Sequence, residues 1–147
     1  MAVVVVLVAS LLIARVLGAL AVPALDSWPV ATRVGLAAMF FFTALAHFNR
    51  MRGDLVRMVP PSFPFPQHLV TFTGVCEVLG AVGILVPTTR RLAGICIVLL
   101  LIAVFPANAS AAKRGLTLAG KPVTPLWLRL PVQIVFIALT WWSTQRP

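Results

Sequence analysis

The sequence predicts an all-α integral membrane protein, and three observations carry that prediction. Of its 147 residues, 61% are hydrophobic and the mean hydropathy is +1.04. Only three acidic side chains stand against twelve Lys and Arg, whereas a soluble domain would place charge on about a quarter of its residues. The apolar residues fall in five runs, each near the ~20 residues that a helix needs to cross hydrocarbon. A soluble globular fold is excluded. So is a nucleic-acid binder, whose basic residues would form a patch on a wet surface rather than sit between apolar runs.

The first run, residues 2–22, is broken only by Ser10 and Arg15 and stops at Pro23. Ala19, Leu20 and Ala21 resemble a signal-peptidase site, but no Lys or Arg precedes the run and it exceeds a usual signal core, so a retained helix is expected. Residues 29–49, 68–86, 92–108 and 126–142 give four more spans. Neither strand alternation nor a long-period repeat competes with the helical reading. Counting spans puts Arg50, Arg52, Arg57, Lys113, Arg114, Lys121 and Arg129 on the side of the N-terminus, and only Arg33, Arg90, Arg91 and Arg146 on the other. The positive-inside bias then places the N-terminus in the cytoplasm of a multi-pass cell-membrane protein. Trp28, Trp141 and Trp142 fall at the outer interface and Trp127 at the inner one, where indoles prefer to lie.

The 50–67 connection has two halves. Arg50, Arg52, Asp54 and Arg57 interleave with Met51, Leu55, Val56, Met58 and Val59, which suits a short amphipathic helix on the headgroups. Pro60 to Pro66 is too proline-rich for a helix and too apolar for water. It is expected either to fold back as a flap carrying Phe63 and Phe65, or merely to turn the chain.

Polar groups inside a span are costly and therefore candidates for function. Glu77 is the only acid within a span, about 15 Å deep by helical rise. It reads as a proton-accepting carboxylate or ligand anchor, or else as half of a structural ion pair. Its expected partner is Arg15, brought to a similar level in the first helix. On the fifth helix Arg129, Gln133, Phe136 and Thr140 share one face. Arg129 points to a site, or alternatively snorkels to headgroups. On the second helix Thr43 and His47 lie one turn apart. His47, Arg129, His68, Asn49 and Asn108 are thus expected at one depth beneath the phenylalanine flap, the best sign of a site; each alone also suits a wetted helix end. Two histidines fall short of a zinc set, and a facing pair for haem is not evident, so no metal is expected. Cys76 and Cys96 lie at unequal depths, unfavourable for a disulfide. There is no C-x-x-C, phosphate loop or nucleophile elbow.

The order Ala46-His47-Phe48, Met58-Val59-Pro60, Gly74-Val75-Cys76-Glu77-Val78-Leu79-Gly80, Arg91-Leu92-Ala93-Gly94 and Phe105-Pro106-Ala107-Asn108 resembles the DoxX family of small bacterial membrane proteins, over about residues 30–142. The resemblance implies a four-helix membrane domain at 29–147, with residues 1–28 an added N-terminal transmembrane helix and turn. It also implies association with redox systems through a quinone-linked oxidase, and it makes His47, Glu77, Asn108 and Arg129 the site positions to carry over.

Three functions are compatible with these readings. The first is a redox-associated subunit that holds a quinone or similar apolar molecule in the bundle. There His47, Glu77 and Arg129 would be the candidate reactive groups, and Asn108 and Gln133 would complete the ligand contacts. No cofactor or electron carrier is encoded, so a redox partner protein would supply electrons; the other partner is the bilayer, and no nucleic acid is expected. The second is a non-catalytic assembly or binding module whose basic face meets a partner or anionic lipid. The third, a small-solute transporter, is disfavoured by a single buried carboxylate and no evident inverted repeat.

Overall fold

A computed structural model describes residues 2–146. The chain forms α1 (Ala2–Leu20), a 3-10 turn (Pro23–Leu25), α2 (Trp28–Phe48), α3 (Arg52–Met58), α4 (Pro66–Gly83), α5 (Arg90–Lys113), a two-residue hairpin β1 (Thr117–Leu118) with β2 (Lys121–Pro122), and α6 (Leu126–Gln145). Local signals mark two of the helix starts. Ser27 accepts the amide of Val30 at the N-cap of α2, and Pro29 and Pro66 sit in the first turns of α2 and α4.

Four helices, α1, α2, α5 and α6, are long and apolar enough to cross a membrane, and the protein is a membrane protein on that ground. The remaining expected span, α4, is formed but is shorter, at 18 residues, and is diluted by Gln67, His68 and Glu77. It nevertheless packs along the bundle: Val70, in its second turn, and Gly74, at its middle, meet His47 near the end of α2, and its last residue, Gly83, meets Ala93 near the start of α5. The helices alternate in direction. One end, the turn end, gathers the starts of α2 and α5 with the finish of α6, as Arg33 reaches Ser143 and Gly94 touches Thr144. The loop end gathers α3, the starts of α4 and α6, and the finish of α5.

Helix α2 is the hub. It packs against α1, α4 and α6, while α5 packs against α4 and α6, so α2, α4, α5 and α6 form an up-and-down ring of four, with α1 applied to the outside of α2. The buried residues follow: Leu36, Ala37, Met39 and Phe40 of α2 meet Leu7, Ala81, Ile84 and Ile97 in one core. Trp28, Trp127, Trp141 and Trp142 are all exposed and occupy the two ends, as an aromatic belt requires.

The loop end decides one open reading of the sequence and departs from it in two ways. The α3 helix forms as expected; of the two readings of the Pro60 to Pro66 stretch, the turn fits and the flap does not, since Phe63 is 48% and Phe65 72% exposed. Phe65 adopts a left-handed conformation that turns the chain into α4. The 109–125 connection contains the hairpin, whose turn residues Ala119 (φ +52°) and Gly120 (φ +75°) are both left-handed, the geometry of a two-residue turn that matches strand twist. Ala119 is held there because the Asp54 carboxylate accepts its amide at 2.8 Å. Finally, α5 continues through Pro106 to Lys113 instead of ending at Asn108.

Candidate functional site: a proton-sharing pair and a separate arginine

The polar side chains predicted to converge separate into two groups. The first lies in the seam between α2 and α4. A Cβ on Gly74 would come within 2.6 Å of His47 Cβ; the missing side chain is what admits the imidazole. His47 Nδ1 lies 2.7 Å from the carbonyl oxygen of Val70. A carbonyl can only accept, so Nδ1 carries a proton. The other nitrogen, Nε2, is 3.6 Å from Glu77 Oε1. Thr43 Oγ1 donates to Glu77 Oε2 at 2.8 Å, and Thr73, which donates to the Leu69 and Val70 carbonyls, flanks the ring.

With Nδ1 committed, two charge states suit the pair. Either imidazolium faces carboxylate or neutral imidazole faces carboxylic acid across the 3.6 Å between Nε2 and Oε1. The side chains are 12% and 15% exposed, enough to exclude bulk water from most of the pair while leaving an edge open.

The second group lies between α5 and α6. Arg129 Nη1 donates to Asn108 Oδ1, and Gln133 donates to the Leu101 carbonyl at 2.7 Å, next to Ile102, whose carbonyl loses its helical partner to Pro106. Arg129 Nε is buried with no hydrogen-bond partner. None of the ion pairs among the described residues includes Arg129.

Several expectations are corrected by this arrangement. Arg15 does not pair with Glu77. It binds Asp26 at 2.6 Å and lies 4.9 Å over the Trp28 ring, because α1 packs on α2 and the following turn brings Asp26 back to it. His68 and Asn49 do not join the site: His68 is exposed against the edge of Phe65, and Asn49 accepts the Met51 amide at the end of α2. Gln133, expected to complete the ligand contacts, donates its amide to the Leu101 carbonyl.

Other residues escaped notice. Arg33, counted only as a flanking charge, is 6% exposed and donates to the Ser143 and Arg146 carbonyls at 2.9 Å each, capping α6. Its place one turn inside an apolar run was the available signal. Arg52 ties the His47 and Gln67 carbonyls at 3.1 Å, and Arg114 binds the end of α3 through Arg57, Met58 and Val59 carbonyls. Asp54 joins this network, and the Ala119 amide, followed by Arg57, holds its carboxyl below the ordinary carboxylate range. No group of three or more His, Cys, Asp or Glu that could hold a metal occurs among the described residues, and Cys76 and Cys96 are both free thiols.

Two cavities border neither Glu77 nor His47. One, of about 300 Å³, is at the turn end beside Arg33 and Arg90. The other, of about 290 Å³, is at the loop end between α5 and α6.

A family model described as a domain of unknown function, DUF8561, matches residues 36–144. The chain belongs to this family. The match runs from the middle of α2 to the end of α6 and so takes in both polar groups, while α1 lies outside it. No curated protein and no solved structure matches the chain.

Proposed function

We propose that this DUF8561 protein is a redox-associated membrane subunit whose α2–α4 seam presents one exchangeable proton to the head group of a quinone-type molecule arriving from the lipid. The observation that carries this reading is the His47–Glu77 pair, with Nδ1 of the ring committed to Val70 and the opposite nitrogen left facing the only carboxylate inside the bundle. A quinone carbonyl is an acceptor that becomes basic on reduction; His47 Nε2 and Glu77 Oε1 hold and hand over the proton, and Thr43 fixes the carboxylate. Electrons come from a partner protein. The resemblance to DoxX proteins supports the same neighbourhood, and the excess of Lys and Arg at the loop end supports a cell-membrane orientation with that end and the N-terminus in the cytoplasm.

The test is extraction of the protein purified in mild detergent, followed by mass spectrometry of bound lipids. Glu77→Gln suits this test because the amide keeps an acceptor for Thr43 and offers a donor to neutral His47 while removing the shared proton. Stoichiometric quinone with the parent chain and its loss with Glu77→Gln support the reading. An empty parent chain defeats it.

A second reading, a non-catalytic assembly module, is favoured by one specific observation. Neither cavity reaches the pair, and its polar atoms are answered by Thr43, Val70 and each other. Under that reading Glu77→Gln changes stability and partner retention while no quinone is recovered from either protein.

A further inference from the structure

The Arg129 group invites an explanation that the His47–Glu77 reading does not supply. A guanidinium half inside a membrane bundle, with a buried Nε lacking a partner and only a neutral amide on Nη1, is an uncompensated charge. The protein has three carboxylate side chains, and each is engaged elsewhere: Asp26 by Arg15, Asp54 by Arg57 and Ala119, Glu77 by His47 and Thr43.

The loop-end cavity lies on the loop side of this arginine, which is not itself part of the cavity wall. It opens between the end of α5 and the start of α6, with Ala112, Lys113, Pro125 and Leu126 in its wall. Asn108 is four residues before Ala112, and Arg129 is four after Pro125 and three after Leu126. Those spacings put the Arg129–Asn108 pair on the cavity faces of both helices, roughly one 5.4 Å turn below the wall. Lys113 stands at the rim, and Leu116, Pro122 and Val123 give the sides an apolar character.

We propose that this cleft binds a small carboxylate with an apolar body, entering from the loop end. The carboxylate takes the Nε and Nη2 edge of Arg129, the edge that Asn108 leaves unused and that suits two parallel hydrogen bonds, while Lys113 draws the anion inward. Seating it requires the Arg129 side chain to turn that edge upward. The apolar body fills the space beneath the hairpin, and about 290 Å³ accommodates a body of one ring or a short chain. The site uses none of the residues of the α2–α4 seam, so it stands or falls separately from the quinone reading.

The experiment titrates the detergent-purified full chain with benzoate and with benzamide, its uncharged counterpart of nearly equal shape, by calorimetry and ligand-observed NMR. Saturable benzoate binding is expected, with benzamide at least tenfold weaker. Arg129→Gln should reduce benzoate affinity at least tenfold, and Arg91→Gln, an exposed charge at the other end, should leave it unchanged. Ala112→Phe fills the cleft without touching the arginine and should also abolish binding, which keeps the test decisive if Arg129→Gln fails to fold. Equal binding of benzoate and benzamide, no saturable binding of benzoate, or undiminished binding by Ala112→Phe would overturn the proposal. Inorganic phosphate competing more strongly than benzoate would also overturn it, assigning the cleft to phosphate-bearing anions.

Discussion

The α2–α4 seam and the α5–α6 cleft treat a buried charge in opposite ways. In the seam, the imidazole and the carboxylate meet, a glycine makes room for the ring, and threonines take up the remaining capacity. In the cleft, a guanidinium is left with a neutral amide and an unpartnered nitrogen beneath an open cavity. The polar groups of the seam are answered from within the bundle. The arginine keeps a buried nitrogen unanswered, which the proposed carboxylate would take up. Depth and polarity alone, which are what a sequence displays, do not distinguish these cases; the partners do.

The contrast can be broken most forcefully at Glu77. Glu77→Ala leaves His47 facing an empty site and should destabilise the protein by about 3–5 kcal/mol. The double variant with His47→Ala should cost clearly less than the sum of the singles in detergent denaturation, and simple additivity would mean the seam is not a unit. Next comes Gly74→Ala, which forces a methyl against His47 and should cost roughly 1–3 kcal/mol by overpacking. At the cleft the sign changes. Arg129→Met exchanges an uncompensated cation for an apolar chain, so the midpoint should hold or rise, by up to about 1 kcal/mol of stability; a loss comparable to Glu77→Ala would erase the distinction between the two sites. Combining Arg15→Ala with Glu77→Ala should be additive within about 0.5 kcal/mol, because the two residues have different partners.

The smallest effect concerns Asp54, outside both sites. Its carboxyl titrates below the ordinary range in the folded protein, so its contribution is fully present above the unfolded-state pKa of about 3.9 and disappears as the pH falls through the lower folded value. Hydrogen exchange at the Ala119 amide should therefore stay slow from neutral pH down to that range, correct for intrinsic rates, and lose protection below it. Loss of protection already at pH 6 would sever the link between α3 and the hairpin.

Much of the framework was visible in the residues. Apolar run lengths place the helices within a few positions, Trp28 and Trp141 mark the right ends, and the amphipathic pattern of 50–59 foretells α3. His47, Glu77, Arg129 and Asn108 are all members of buried or half-buried polar groups. Pairing was less legible. Depth estimates put Arg15 level with Glu77, but depth says nothing about which helices touch, and the local return of Asp26 through the 3-10 turn captures Arg15 first. The extent of α5 was also understated: the apolar run stops at Asn108, but the helix passes through Pro106 and continues to Lys113. The Phe63 and Phe65 stretch was read by its hydropathy alone, which cannot separate a flap over protein from a segment turned towards lipid.

Arg33 has a consequence for how the chain is made. Its acceptors on α6 lie 110 and 113 residues downstream, so at synthesis rates of ~5–20 residues per second they emerge roughly 6–20 s after the arginine does. During that interval the hub helix must hold its guanidinium at the membrane surface. Closure of the ring between α2 and α6 through Arg33 therefore cannot precede the synthesis of α6.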